Sequence, residues 1–144
     1  MRKRYLKITV ALLCFFMLFS IPVHASAPSE PCASSQIALH SATLDIGTDG
    51  YLYVTFMIRT NRVMNKLGAS SVAIQRYSLF QWVNERVYTP DDIPDLLTSN
   101  EGNHALTIRY NPLFPNAKYR AIVYFYAESD TMISTGSDTT DPVP

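Results

Sequence analysis

A chain of 144 residues with 12 basic and 12 acidic side chains has room for one ordinary domain, and nothing in its overall charge points to nucleic acid. Apolar residues make up 47% of it, enough to bury a single core without disulfide staples.

The first 27 residues read as a secretory signal peptide rather than as part of a fold. Arg2, Lys3, Arg4 and Lys7 form a basic start, residues 8–23 are almost wholly apolar, and Val23-His24-Ala25 or Ala25-Ser26-Ala27 places small residues at a cleavage site. The competing reading is a retained anchor, because the apolar run approaches the shortest length that spans a bilayer. Cleavage removes four basic residues and leaves eight against twelve acidic ones, a net charge of −4. The expectation is a chain that leaves the membrane after cleavage, with no basic patch for nucleic acid or an anionic surface. Residues 28–35 read as a flexible Ser/Pro/Ala-rich leader. Cys14 departs with the signal, so Cys32 stands alone, either as a tolerated thiol or as the link of a disulfide dimer.

Alternation of apolar and polar residues organises the remainder of the chain, with residues 36–138 as the domain and 139–144 as a flexible tail. In residues 36–46, Ile37, Leu39, Ala42, Leu44 and Ile46 form two alternating runs whose phase slips near His40-Ser41, the mark of a bulge. Gly47-Thr48-Asp49-Gly50 supplies turn chemistry. Residues 51–59 put Leu52, Val54, Phe56 and Ile58 on one face and Tyr51, Tyr53, Thr55 and Met57 on the other. The polar residues 60–66 read as the end of that strand.

Residues 71–78 and 79–89 read as two further strands, the second less regular. Pro90 and Pro94 with three aspartates deny residues 90–103 a regular strand, and Ile93, Leu96 and Leu97 suit one helical turn over an end of the core. Alternation resumes in 104–110. It is clearest in 117–127, where Tyr119, Ala121, Val123, Phe125 and Ala127 share a face. Residues 131–135 read as a short last strand, and 136–144 as a polar, frayed end. About seven short strands separated by turns describe an all-β, two-sheet antiparallel sandwich.

Leu113-x-Pro115-x-x-x-Tyr119, followed by Ala121, Val123 and Phe125, resembles the corner that enters strand F of fibronectin type III domains. The resemblance implies a tyrosine corner at Tyr119, with its hydroxyl bonded to the chain a few residues upstream, and Leu113 plugging the bottom of the core. Ser134 and Ser137 are loose matches to the serine-rich last strand. The family usually has a core tryptophan where this chain has Phe56, so a more general immunoglobulin-like sandwich stays open. The small size and signal also resemble short secreted proteins of Gram-positive bacteria, implying an extracellular or cell wall-associated place.

No catalytic, cofactor or metal site is nominated by spacing. His40 and His104 lack a metal-ligand partner nearby in sequence, and no Gly-x-Ser-x-Gly or His-Glu-x-x-His occurs. Asp91, Asp92, Asp95 and Glu101 read as a solvated acidic loop, without the alternation of an EF-hand. Tyr51, Tyr53, Tyr124 and Tyr126 sit opposite core-facing neighbours and are the candidate binding surface. The resemblance puts Tyr51 and Tyr53 on strand B and Tyr124 and Tyr126 on strand F, and in a fibronectin type III sandwich those strands belong to different sheets, so the two tyrosine pairs would face opposite sides. The expected role is therefore a non-catalytic binding or structural module with a protein or glycan partner at the cell surface. Two alternatives are a carbohydrate-binding domain using the tyrosines and a small extracellular enzyme or inhibitor with its site in the 90–103 loop.

Overall fold

The structure is a computed structural model that describes residues 36–114 and 116–144. The signal, the leader, Cys32 and Pro115 lie outside the described residues. Among the described residues eight strands run in chain order: β1 (Ile37–Ile46), β2 (Leu52–Met64), β3 (Lys66–Ser78), β4 (Gln81–Tyr88), β5 (Leu97–Thr98), β6 (Glu101–Tyr110), β7 (Tyr119–Glu128) and β8 (Ile133–Thr139). They form two antiparallel sheets, β1-β2-β6 and β4-β3-β7-β8, with β5 attached to β3. The protein is thus an all-β, two-sheet sandwich.

The inward faces follow from the alternation. Leu52, Val54, Phe56 and Ile58 of β2 are buried against Val72 and Ile74 of β3 and Val123 and Phe125 of β7, with the Phe56 and Phe125 rings 6.1 Å apart. A strand with one apolar face is stable only when a second sheet covers it. The Tyr119 to Ala127 face of β7 is buried throughout. Gly50, with φ of 77°, turns β1 into β2 as its position in Asp-Gly requires.

Several boundaries differ from the sequence reading, each for a local reason. The slip in β1 falls between Ile37 and Leu39, so Leu39 turns outward and His40, Ala42 and Leu44 turn in. β2 does not end at Thr60. It runs on through a second irregularity to Met64, which is fully buried, and Asn65 alone separates it from β3 in the other sheet. The polar residues there lie on a strand that changes sheets, where alternation is broken by the bulge. Gly68 and Ala69 belong to β3 rather than preceding it. Leu97 and Thr98 pair with Leu67 and Gly68, directly after a 3-10 turn at Pro94–Leu96 that buries Leu96. Residues 136–144 do not fray as a unit. Gly136 to Thr139 complete β8, Thr140 is buried with its hydroxyl accepting from the Ala121 N–H, and Val143 exchanges two backbone hydrogen bonds with Tyr119.

Candidate binding surface at one end of the sandwich

Tyr119 begins β7 with 1% of its surface exposed, and its hydroxyl accepts a hydrogen bond of 3.3 Å from the Phe114 N–H. Burial raises its pKa above the ordinary phenol value. Leu113 does not plug the core: it is 74% exposed, because the loop from Asn111 swings its side chain outward. The bottom of the core is closed instead by polar side chains. The Tyr110 ring packs edge-on to Tyr119 at 6.4 Å, and its hydroxyl donates to Glu85 Oε2 at 3.1 Å. Glu85, whose side chain is only 7% exposed, is also ion-paired to Arg76 Nε. Burial, reinforced by the bond to the Glu85 carboxylate, pushes the Tyr110 pKa up to about 12.

The strand expected from residue 79 starts two residues later. Ser78 pairs with Gln81, so Leu79 and Phe80 form a two-residue hairpin turn with φ of 49° and 65°. Positive φ at both positions is the signature of a type I′ turn, which normally takes Asn-Gly or Asp-Gly. Leu79 is 86% exposed and Phe80 93%. The turn abuts the 111–118 loop, since the Tyr77 N–H donates to the Lys118 carbonyl at 2.9 Å and the Arg76 guanidinium lies 4.1 Å over the Phe114 ring. Leu113 and Phe114, the latter 49% exposed, line a shallow depression with Arg76, Asn116 and Ala117. Four large apolar side chains therefore project from two adjoining loops at one end of the sandwich. Read from sequence, the first pair falls in a strand and Leu113 in the core; the signal for a turn is absent because neither Leu nor Phe is a turn residue.

Below the hairpin tip, on the outward face of the second sheet, the Tyr77 and Trp82 rings stand 5.2 Å apart. Arg120 lies 4.4 Å over Trp82 and donates from Nε to Gln75 Oε1 at 2.8 Å. Cations stacked on aromatic faces in this way stay available to a second partner on their open side.

The four candidate tyrosines lie on two different sheets. Tyr51 and Tyr53 flank the start of β2, where Arg109 sits 3.5 Å over the Tyr51 ring and the Tyr53 hydroxyl donates to Asp49 Oδ2 at 2.7 Å. That hydroxyl, with Arg109 behind it, holds the Asp49 carboxyl below the usual range. Tyr124 is exposed on β7, and Tyr126 donates from its hydroxyl to Glu128 at 2.8 Å. The histidines are placed by packing. His40 rests on Phe125 with ring centroids 4.8 Å apart, and His104 Nε2 lies 2.8 Å from the Asp95 backbone carbonyl oxygen. In the 90–103 loop, Asp92 accepts from Thr89 and Arg86 and so closes its own turn. Among the described residues no three His, Cys, Asp or Glu side chains converge as metal ligands would.

No family model matches the chain, and no match is found among curated proteins. Among solved structures it is similar to the crystal structure of Spo0M, sporulation control protein, from Bacillus subtilis, with 6% sequence identity and a TM-score of 0.39 over 70% of this chain and 47% of that one. The chain spans about half the length of that protein.

Proposed function

We propose that the protein is a secreted, non-catalytic sandwich that binds at the cell envelope or outside the cell through the end carrying Leu79, Phe80, Leu113 and Phe114. The observation that carries this reading is the exposure of those four side chains on adjoining loops. Scattered apolar residues are ordinary on a surface, whereas four gathered on two hydrogen-bonded neighbouring loops, with stacked arginines beside them, have the composition of a binding site. The non-catalytic part is supported by what the histidines touch, an aromatic ring for His40 and a backbone carbonyl for His104. A fibronectin type III-like layout is supported by two features: β2 and β7 belong to different sheets, and the buried Tyr119 hydroxyl is bonded five residues upstream.

The test is retention of the purified protein on isolated cell envelopes, compared with the Leu113→Ser/Phe114→Ser variant. Retention that falls severalfold in the variant supports the reading. Equal retention of the two folded proteins, or none for either, overturns it.

A further inference from the structure

Resting on the apolar end as the binding surface, we propose that its occupant is a phospholipid bilayer, into which the Leu79–Phe80 tip inserts. The tip is a knob, not a groove. Both of its residues hold left-handed φ, which bulky L side chains adopt only under strain, so the turn keeps two apolar side chains at the cost of a relaxed backbone. An outlier of this kind at a loop points to a use for the side chains themselves.

Chemistry is layered along the sandwich behind that knob. Outermost are Leu79 and Phe80; next comes the Tyr77 and Trp82 pair on one flank and Phe114 on the other. Then comes Arg120 over Trp82, with the exposed Lys118 beside Tyr77, whose N–H donates to the Lys118 carbonyl. Hydrocarbon, amphipathic aromatic and cation is the order in which one leaflet of a bilayer presents acyl chain, interface and phosphate. The hairpin's one carboxylate, Glu85, is nearly buried and neutralised by Arg76, so it does not repel lipid phosphates. A second copy of this chain fits poorly, because apposed ends would set these cations against each other. The net charge of −4 expected once residues 1–27 are removed gives no long-range attraction to an anionic surface, and the expectation of no membrane contact rests on that total. The local arrangement makes contact depend on the tip, with a modest preference for anionic lipid.

Trp82, the protein's one tryptophan, stands just below the tip and reports on its insertion. The purified protein is titrated with vesicles of phosphatidylcholine alone and mixed with phosphatidylglycerol. Because the signal comes from Trp82, any lipid contact by residues 8–23 is read separately. The expected result is a blue shift of emission and quenching by lipids brominated on the acyl chain. Leu79→Asn/Phe80→Gly, which relaxes the turn, should weaken vesicle binding roughly tenfold or more while leaving the protein folded. Lys118→Gln should lower only the gain from phosphatidylglycerol, by about fivefold. Absence of any shift with folded wild-type protein overturns the proposal, as does a shift that survives in the double variant. Self-association in sedimentation that the double variant abolishes, without a vesicle signal, would make the occupant a second copy. Envelope retention without vesicle binding removes the bilayer and leaves the apolar-end reading standing; loss of both removes both.

Discussion

The two ends of the sandwich are built on opposite terms. At the end where β2 passes into β3, side chains bond to one another: Gln36 Nε2 and Arg62 donate to the Ser129 hydroxyl, Asn65 donates to Asp130, and Lys66 pairs with Glu128. Val63 and Ile133 are exposed there, but Val63 lies among Asn65, Ser129 and Asp130, and Ile133 is opposite Glu128. At the other end, Glu85 and Tyr110 turn inward to close the core, while Leu79, Phe80, Leu113 and Phe114 face water. The first end satisfies itself where the chain changes sheets; the second leaves apolar surface without a partner inside the described residues. The end proposed to bind is thus the one whose apolar surface is left uncovered.

The largest effect should come from the self-satisfied end. Gly68 has φ of 149°, and a Cβ there would stand 2.0 Å from the Leu96 carbonyl oxygen. Gly68→Ala should lose on the order of 4 kcal/mol in urea unfolding, since backbone must move in both β3 and the 3-10 turn. A neutral result would break the comparison at its stable side. Glu85→Ala should cost about 3 kcal/mol, because it strips a nearly buried ion pair and leaves Arg76 and Tyr110 without their acceptor. Its unfolding midpoint should fall well below that of an exposed-site control such as Glu101→Ala.

Alkaline titration sharpens the same point. Tyr110 is raised from its ordinary value of 10 to about 12 in the folded protein, so the unfolded chain releases that proton first. Its contribution is complete below pH 10 and is lost as pH rises from about 10 to about 12. Tyr110→Phe, compared across that window by thermal melts, should show a shallower decline. The smallest effect has the opposite sign. Leu79→Asn/Phe80→Gly should stabilise the protein by about 1–2 kcal/mol, because the new residues accept left-handed φ. A loss of stability there would mean that the tip side chains support the fold, and the division between the ends would fail.

The fold was legible where one face of a strand is uniformly covered. Leu52 to Ile58 and Tyr119 to Ala127 alternate cleanly because a complete second sheet lies over them. Legibility failed where the period is broken or its usual markers are missing. The bulged run from Thr60 to Met64 mixes polar residues into a strand, and Leu79-Phe80 carries none of the residues that normally announce a turn. The resemblance to the fibronectin type III corner put Leu113 in the core, yet the closing role fell to Arg76 and Glu85 on one hairpin and to Tyr110, 25 residues beyond Glu85. No local pattern brings such a cluster together. The exposed end was therefore hidden for the same reason that it is of interest: its residues look like core and are not.

The bonds between Val143 and Tyr119 place the last residues of the chain at the apolar end, while residue 36 enters at the other, where its N–H donates to Ser134. β1 and β8 run side by side between those points, tied by the Ala42 N–H to Asp138. A pull applied between residues 36 and 143 would act along the strands and load their cross-links in shear. Many bonds would then have to yield together, instead of parting in turn as in an unzipping sheet.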